Sequence, residues 1–293
     1  MSAPHAPHTP HTPRYVVAYG GDERSKVALR LGADLARSLG AVLDIVLVVR
    51  ADAPFGAVYP PAPDFESLVE RQARQWLDEA RASVPSEVPV ETHVRRHRSI
   101  AQGILEAAAD LDARLIVVGT ASGGGPGFTV GPVATQLLHA SPVPVALVPR
   151  RYTSHGLLER IYCAVGTRPG AQQVVRESVE AARRTGLDLH LVSLLELDEH
   201  QGAEEPARQR ATELIVTAAQ DVPDGRAAVE IGQGRTMQQA VESIDWEPRS
   251  ILLIGSSRLA PRRRTFLGTT AARILRHLPI PMVVVPHTDG EPS

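Results

Sequence analysis

An internal repeat constrains this chain more than any other feature. Arg114–Pro149 reads RLIVVGTASGGGPGFTVGPVATQLLHASPVPVALVP, and Ser250–Pro286 reads SILLIGSSRLAPRRRTFLGTTAARILRHLPIPMVVVP. Gly119 recurs as Gly255, Gly131 as Gly268 and Pro149 as Pro286. In a chain of 293 residues, one such recurrence implies two copies of a single unit, each of ordinary domain size. The organisation expected is a tail over 1–13, a first domain over 14–150, a linker over 151–159, a second domain over 160–287 and a tail over 288–293.

Within each copy, apolar strands alternate with amphipathic helices. In the first, strands are expected at Tyr15–Tyr19, Ala41–Val49, Val88–Val94, Leu115–Val118 and Val143–Val148. Between the first two, Val27, Leu31, Leu35 and Leu39 draw one apolar stripe down a helix. Gly40 ends that helix as a left-handed cap requires. The next two helices should turn Leu68, Ala73, Trp76, Leu77 and Ala80, then Ile100, Ile104 and Leu111, inward. The pattern restarts at Ile161, with strands at Ile161–Val165, Leu187–Leu195, Ala227–Ile231, Ile251–Ile254 and Met282–Val285. Strand–helix alternation at this spacing implies parallel pairing with right-handed crossovers. The fold class expected is α/β, as two tandem open parallel five-stranded sheets with helices on both faces. With aromatic residues at only 4%, Leu, Val, Ile and Ala must fill the core.

Such sheets bind ligands at the carboxyl ends of their strands. If the fourth strand lies beside the first, the crevices fall between Tyr19–Asp22 and Gly119–Gly131, and between Val165–Arg168 and Gly255–Thr270. The second is built like an anion site. Gly255 and Gly268 let backbone N–H groups approach an anion, and a helix begins near Thr269 and Thr270. Ser256, Arg258 and Arg262–Arg264 add hydroxyl and charge. The first crevice offers Gly119, Gly131 and the run SGGGPGF, without a cation in its loop.

Other functions find less support. The formal charge of −2, from 31 basic and 33 acidic residues, gives no drive toward nucleic acid or an anionic membrane. No run approaches the roughly 18 apolar residues of a membrane span, and no apolar signal region opens the chain, so a cytoplasmic protein is expected. GxSxG, HExxH and CxxC are absent, which argues against catalysis beyond a slow ATPase. His93 and His97 read as surface strand histidines and His190 as a packing or surface residue, with no metal site expected. Glu196, Asp198, Glu199 and His200 read as a solvated acidic loop. The single cysteine, Cys163, excludes an intrachain disulfide and reads as a buried, inert thiol.

These residues resemble the universal stress protein family in its tandem two-domain form. ATP-binding members carry Gly, two residues, Gly, nine residues, Gly, then Ser or Thr. Here Gly255, Arg258, Gly268 and Thr269 occupy those positions, with Arg258 in place of the second glycine. In the first half the run is Gly119, Ser122, Gly131 and Pro132, one residue shorter. The resemblance implies a Rossmann-like fold of the adenine nucleotide alpha hydrolase type. It further implies a stress-response role and binding of ATP or another adenine nucleotide, mainly in the second half. The family also places an Asp at the end of its first strand; Gly20 and Gly166 stand at those positions here. An alternative therefore stays open, a relative that has lost nucleotide binding and acts through protein contacts. In the family the last strand pairs antiparallel across a two-fold axis. Here the two halves can pair that way within one chain, and whole chains are expected to form a homodimer.

Overall fold

The computed structural model describes residues 12–51, 63–120, 130–149, 152–165, 171–196, 209, 212–213, 227–256 and 267–286, with the backbone alone for 63–67 and 171–173. The first half runs β1 (Arg14–Tyr19), α1 (Glu23–Leu39), β2 (Val42–Arg50), α2 (Pro63–Ala82), β3 (Val90–His97), α3 (Ile100–Asp110), β4 (Leu115–Gly119), α4 (Pro132–Ala140) and β5 (Val145–Val148). The second runs β6 (Arg160–Ala164), α5 (Ala171–Thr185), β7 (Asp188–Glu196), β8 (Ala227–Gly234), α6 (Met237–Glu242), β9 (Ser250–Gly255), α7 (Thr269–Leu275) and β10 (Met282–Val285).

Each half has the strand order that places its fourth strand beside its first. The two sheets are not separate. They form one ten-stranded sheet, ordered β3-β2-β1-β4-β5-β10-β9-β6-β7-β8. Every neighbouring pair is parallel except β5 with β10, which is antiparallel and matches Val145 to Val284. Both joining strands are four residues long and buried throughout. Left unpaired, each would bury backbone donors and acceptors without partners. The prolines before them do not blunt an exposed edge, since both strands are paired. Pro144 and Pro281 stand just ahead of the strands, and their carbonyls accept from Ile116 and Leu252. The strand pairing that the family resemblance assigns to dimerisation is used inside this chain.

Alternate strand residues feed two core layers. Val17, Ile45, Val117 and Val148 face α1, α2 and α5, whereas Val16, Val46, Ile116 and Leu147 face α3, α4, α6 and α7. Local chemistry starts and stops the helices. Asp22 caps α1 by accepting from the Ser25 N–H, and Gly40 closes it at φ 63°. The α2 stripe is narrower than its sequence suggests. Ala73, Leu77 and Ala80 are buried, but Leu68 is 55% exposed and Trp76 39%. Ala73, Leu77 and Ala80 define the centre of that face; Leu68 lies on the far side of the helix and Trp76 at the edge of the stripe. Trp76 instead lies against Gly21, whose φ of 76° suits glycine.

The linker is docked. Tyr152 donates from its hydroxyl to Asp34 Oδ2 at 2.7 Å, and Ser154 donates to Asp34 Oδ1 at 2.7 Å. The Leu158 N–H donates to the Ser38 hydroxyl at 2.9 Å. A buried carboxylate of α1 thus anchors the segment that leads into the second half.

Candidate functional site

A cavity of about 310 Å³ opens at the carboxyl ends of β1 and β4 in the first half. The N-terminal turns of α1, α3 and α4 surround it. Gly119 makes the geometry possible, because a Cβ there would run into the Arg24 carbonyl oxygen. The end of β4 therefore lies directly under the first turn of α1. Ile100, Ile104, Val118 and Val133 give the cavity apolar walls. Ile100, expected to point inward, is 37% exposed because it lines this space.

Polar groups enter from two sides. Asp22 and Arg24 come from the start of α1. Burial pushes the Asp22 carboxyl up, but hydrogen bonds from Ser25 and the charge of Arg24 outweigh it, and the pKa falls below the usual carboxylate value. Arg24 Nε donates to Asp22 Oδ2 at 2.9 Å. Opposite them is the head of α4, where Gly131 is the N-cap and gives no side-chain hydrogen bond. Pro132 follows at the first helical position, where its missing N–H costs nothing. The N–H groups of that turn are thus without a side-chain cap. Thr120 takes no part; its buried hydroxyl donates to the Val148 carbonyl at 2.9 Å.

Sequence reasoning found no cation in the first-half loop, and the structure brings one in from α1 instead. Arg24 lies far from the glycine-rich loop in sequence and reaches the site through the adjacency of β1 and β4. Its position two residues after Asp22, at a strand–helix junction, was the available signal.

In the second half, Gly255 ends β9, and a Cβ there would collide with Val174 of α5. Its role in packing matches that of Gly119. The Ser256 N–H donates to the Val285 carbonyl at 2.8 Å. Gly268 caps α7 without a side-chain hydrogen bond, and Thr269 and Thr270 are exposed in its first turn. Arg258, Arg262–Arg264 and Gly166 lie outside the described residues. Glu196, expected in a solvated loop, ends β7 and pairs with Arg273 of α7. Asp198, Glu199 and His200 lie outside the described residues.

Both halves carry polar networks at the amino ends of their strands, which sequence reasoning missed. Asp44, fully buried, binds Arg14 and stands 2.7 Å from His93 Nε2. Arg14 also reaches Glu91 at 2.7 Å. Ligand atoms of Asp44, Glu91 and His93 lie within 4.8 Å of one another, close enough for a cation. The Arg14 guanidinium already pairs with both carboxylates, so the cluster reads as a structural ion network. In the second half the pair is exchanged between strands: His190 Nδ1 of β7 stands 2.8 Å from Glu230 of β8. Asp44, a lone acid within an apolar strand, was the sequence signal.

The fold and the cavity define a tandem, doubly wound α/β protein with ligand-sized space at the strand ends of its first half. The model of the universal stress protein family matches residues 12–149 and 158–286, and the chain belongs to that family. Universal stress proteins of Mycobacterium tuberculosis and Mycobacterium bovis are each 29% identical over 288 residues, covering 92% of this chain and 99% of theirs. A universal stress protein from Archaeoglobus fulgidus superposes with a TM-score of 0.68 at 17% identity, over 94% of this chain and 99% of its own. A putative universal stress protein from Pseudomonas aeruginosa gives 0.57 at 16% identity, over 94% of each chain. At these identities the solved structures speak for the fold alone. Among the described residues, no helix is long and apolar enough to cross a membrane.

Proposed function

We propose that this protein is a stress-response regulator that binds ATP or a related adenine nucleotide. The observation that carries this reading is the first-half cavity, with apolar walls, a guanidinium and the head of a helix without a side-chain cap. Apolar surface suits a purine, and the charged end suits phosphate. Gly119 and Gly131 belong to this site. A second site is proposed around Gly255, Ser256, Arg258, Gly268, Thr269 and Thr270, which keep the family's motif spacing. The protein is proposed to work in the cytoplasm. A homodimer would use a surface other than β5 and β10, which pair with each other.

Mass spectrometry of the purified, unfolded protein tests the reading, together with thermal melting at millimolar ATP. Bound adenine nucleotide or a rise in melting temperature supports it, and the absence of both refutes it. One observation favours the second reading, a protein that acts through protein contacts without nucleotide. Gly20 follows β1 with no carboxylate, and nothing lies within 4 Å of where its Cβ would be. The same two measurements separate the readings.

A further inference from the structure

Among the described residues that line the first-half cavity, Arg24 is the sole cation. Its Nε is engaged by Asp22, and this is its one ion pair among the described residues. Among the described residues the two terminal nitrogens of the guanidinium carry no such contact, and the side chain is 49% exposed. Both ends of the residue are held. The Arg24 carbonyl lies against the Gly119 backbone, and Asp22 is itself fixed by accepting from the Ser25 N–H at 2.9 Å. A guanidinium held through Nε presents its remaining N–H groups as a planar fork, which matches the oxygens of a phosphate. The apolar walls leave an anion few other partners.

We infer that Arg24 is the anion clamp of the first-half site, gripping a ligand phosphate through its terminal nitrogens while Asp22 orients it. This deepens the proposed nucleotide site and rests on that reading for the ligand's apolar part only. A ligand with a flat apolar body and a phosphate end fits the cavity, and a neutral nucleoside would forgo the clamp.

Calorimetric titration of the full chain with ATP, adenosine and inorganic tripolyphosphate tests the inference on wild type, Arg24→Ala, Arg24→Gln and Arg24→Lys. The glutamine variant keeps the side chain's bulk, and thermal melting confirms that each variant folds. The expected result is a loss of about tenfold or more in ATP affinity for the first-half component in the alanine and glutamine variants. Adenosine affinity should stay unchanged, and lysine should recover only part of the loss, because a point charge lacks the fork. ATP bound elsewhere appears as a component insensitive to Arg24. If all ATP binding is insensitive to Arg24, the clamp is overturned. If wild type binds neither ATP nor adenosine, the nucleotide reading fails, and tripolyphosphate decides the clamp alone. Arg24-dependent binding of tripolyphosphate upholds it, and no such binding overturns it.

Discussion

Replacing Tyr152 by Phe should cost about 2 kcal/mol of folding stability, because hydrogen bonds to charged groups are worth roughly 1.5–3 kcal/mol. Tyr152 is 9% exposed and Asp34 6%. The carboxylate accepts two hydroxyl hydrogen bonds of 2.7 Å, one at each oxygen. Phenylalanine keeps the ring and opens no cavity, so the loss isolates one donor on a buried charge. Ser154 is exposed, and water can replace its hydroxyl, so Ser154→Ala should cost about 1 kcal/mol or less. Asp34→Ala should cost more than either, and less on the Tyr152→Phe background than alone, because the two residues share one interaction. Burial first, then the hydrogen bond and charge of Asp34, raise the Tyr152 pKa above its ordinary value. A raised folded-state pKa makes this contribution complete below the ordinary tyrosine range. It is lost as pH climbs above about 10, where only the unfolded state gives up the proton. Urea unfolding at constant m-value measures wild type and the four variants. A Tyr152→Phe midpoint equal to wild type, or a larger loss for Ser154→Ala, would refute the reasoning.

Four further outcomes are expected. Gly119→Ala should destabilise by about 1–3 kcal/mol in urea unfolding, since its Cβ meets the Arg24 backbone. Gly20→Ala, with open space around its Cβ, should be neutral or slightly stabilising. Asp44→Ala should cost about 3 kcal/mol by removing the buried acceptor of Arg14 and His93, whereas Glu91→Gln at the exposed end should cost less than about 1 kcal/mol in the same assay. Burial pushes the Cys163 thiol up to about 12. Ellman's reagent should therefore leave the native thiol untouched at pH 8 and label it on unfolding. The raised pKa also makes its stabilising contribution whole below about pH 8.5 and steadily lost above. Stability measured at pH 8 and pH 10.5 should fall accordingly.

The repeat and the helix periodicities made the elements of both halves legible, whereas the fourth strand beside the first entered only as a condition. Residues such as Val27, Leu31 and Leu35 announce their partners through spacing, because one helix face meets one sheet. Gly119 and Gly255 were legible as motif glycines, but not as close-packing points. That role depends on the first helix of each half crossing the end of the fourth strand, which no local pattern encodes. The same adjacency brings Arg24 into the site, so a search confined to the loop between Gly119 and Gly131 could not find it. Ile100 carried the spacing of a core residue and lines a cavity instead, since periodicity reports a face and not whether that face is filled. The fusion into one sheet follows from two short apolar edges within one chain, a consequence of connectivity rather than of any single strand.

A crystal structure grown with ATP tests the central claim most directly. The account expects nucleotide density in the first-half cavity, with the base against Ile100 and Val133 and a phosphate oxygen within hydrogen-bonding distance of the Arg24 terminal nitrogens. An empty first-half cavity at saturating ATP, or a nucleotide there whose phosphates avoid Arg24, would contradict it.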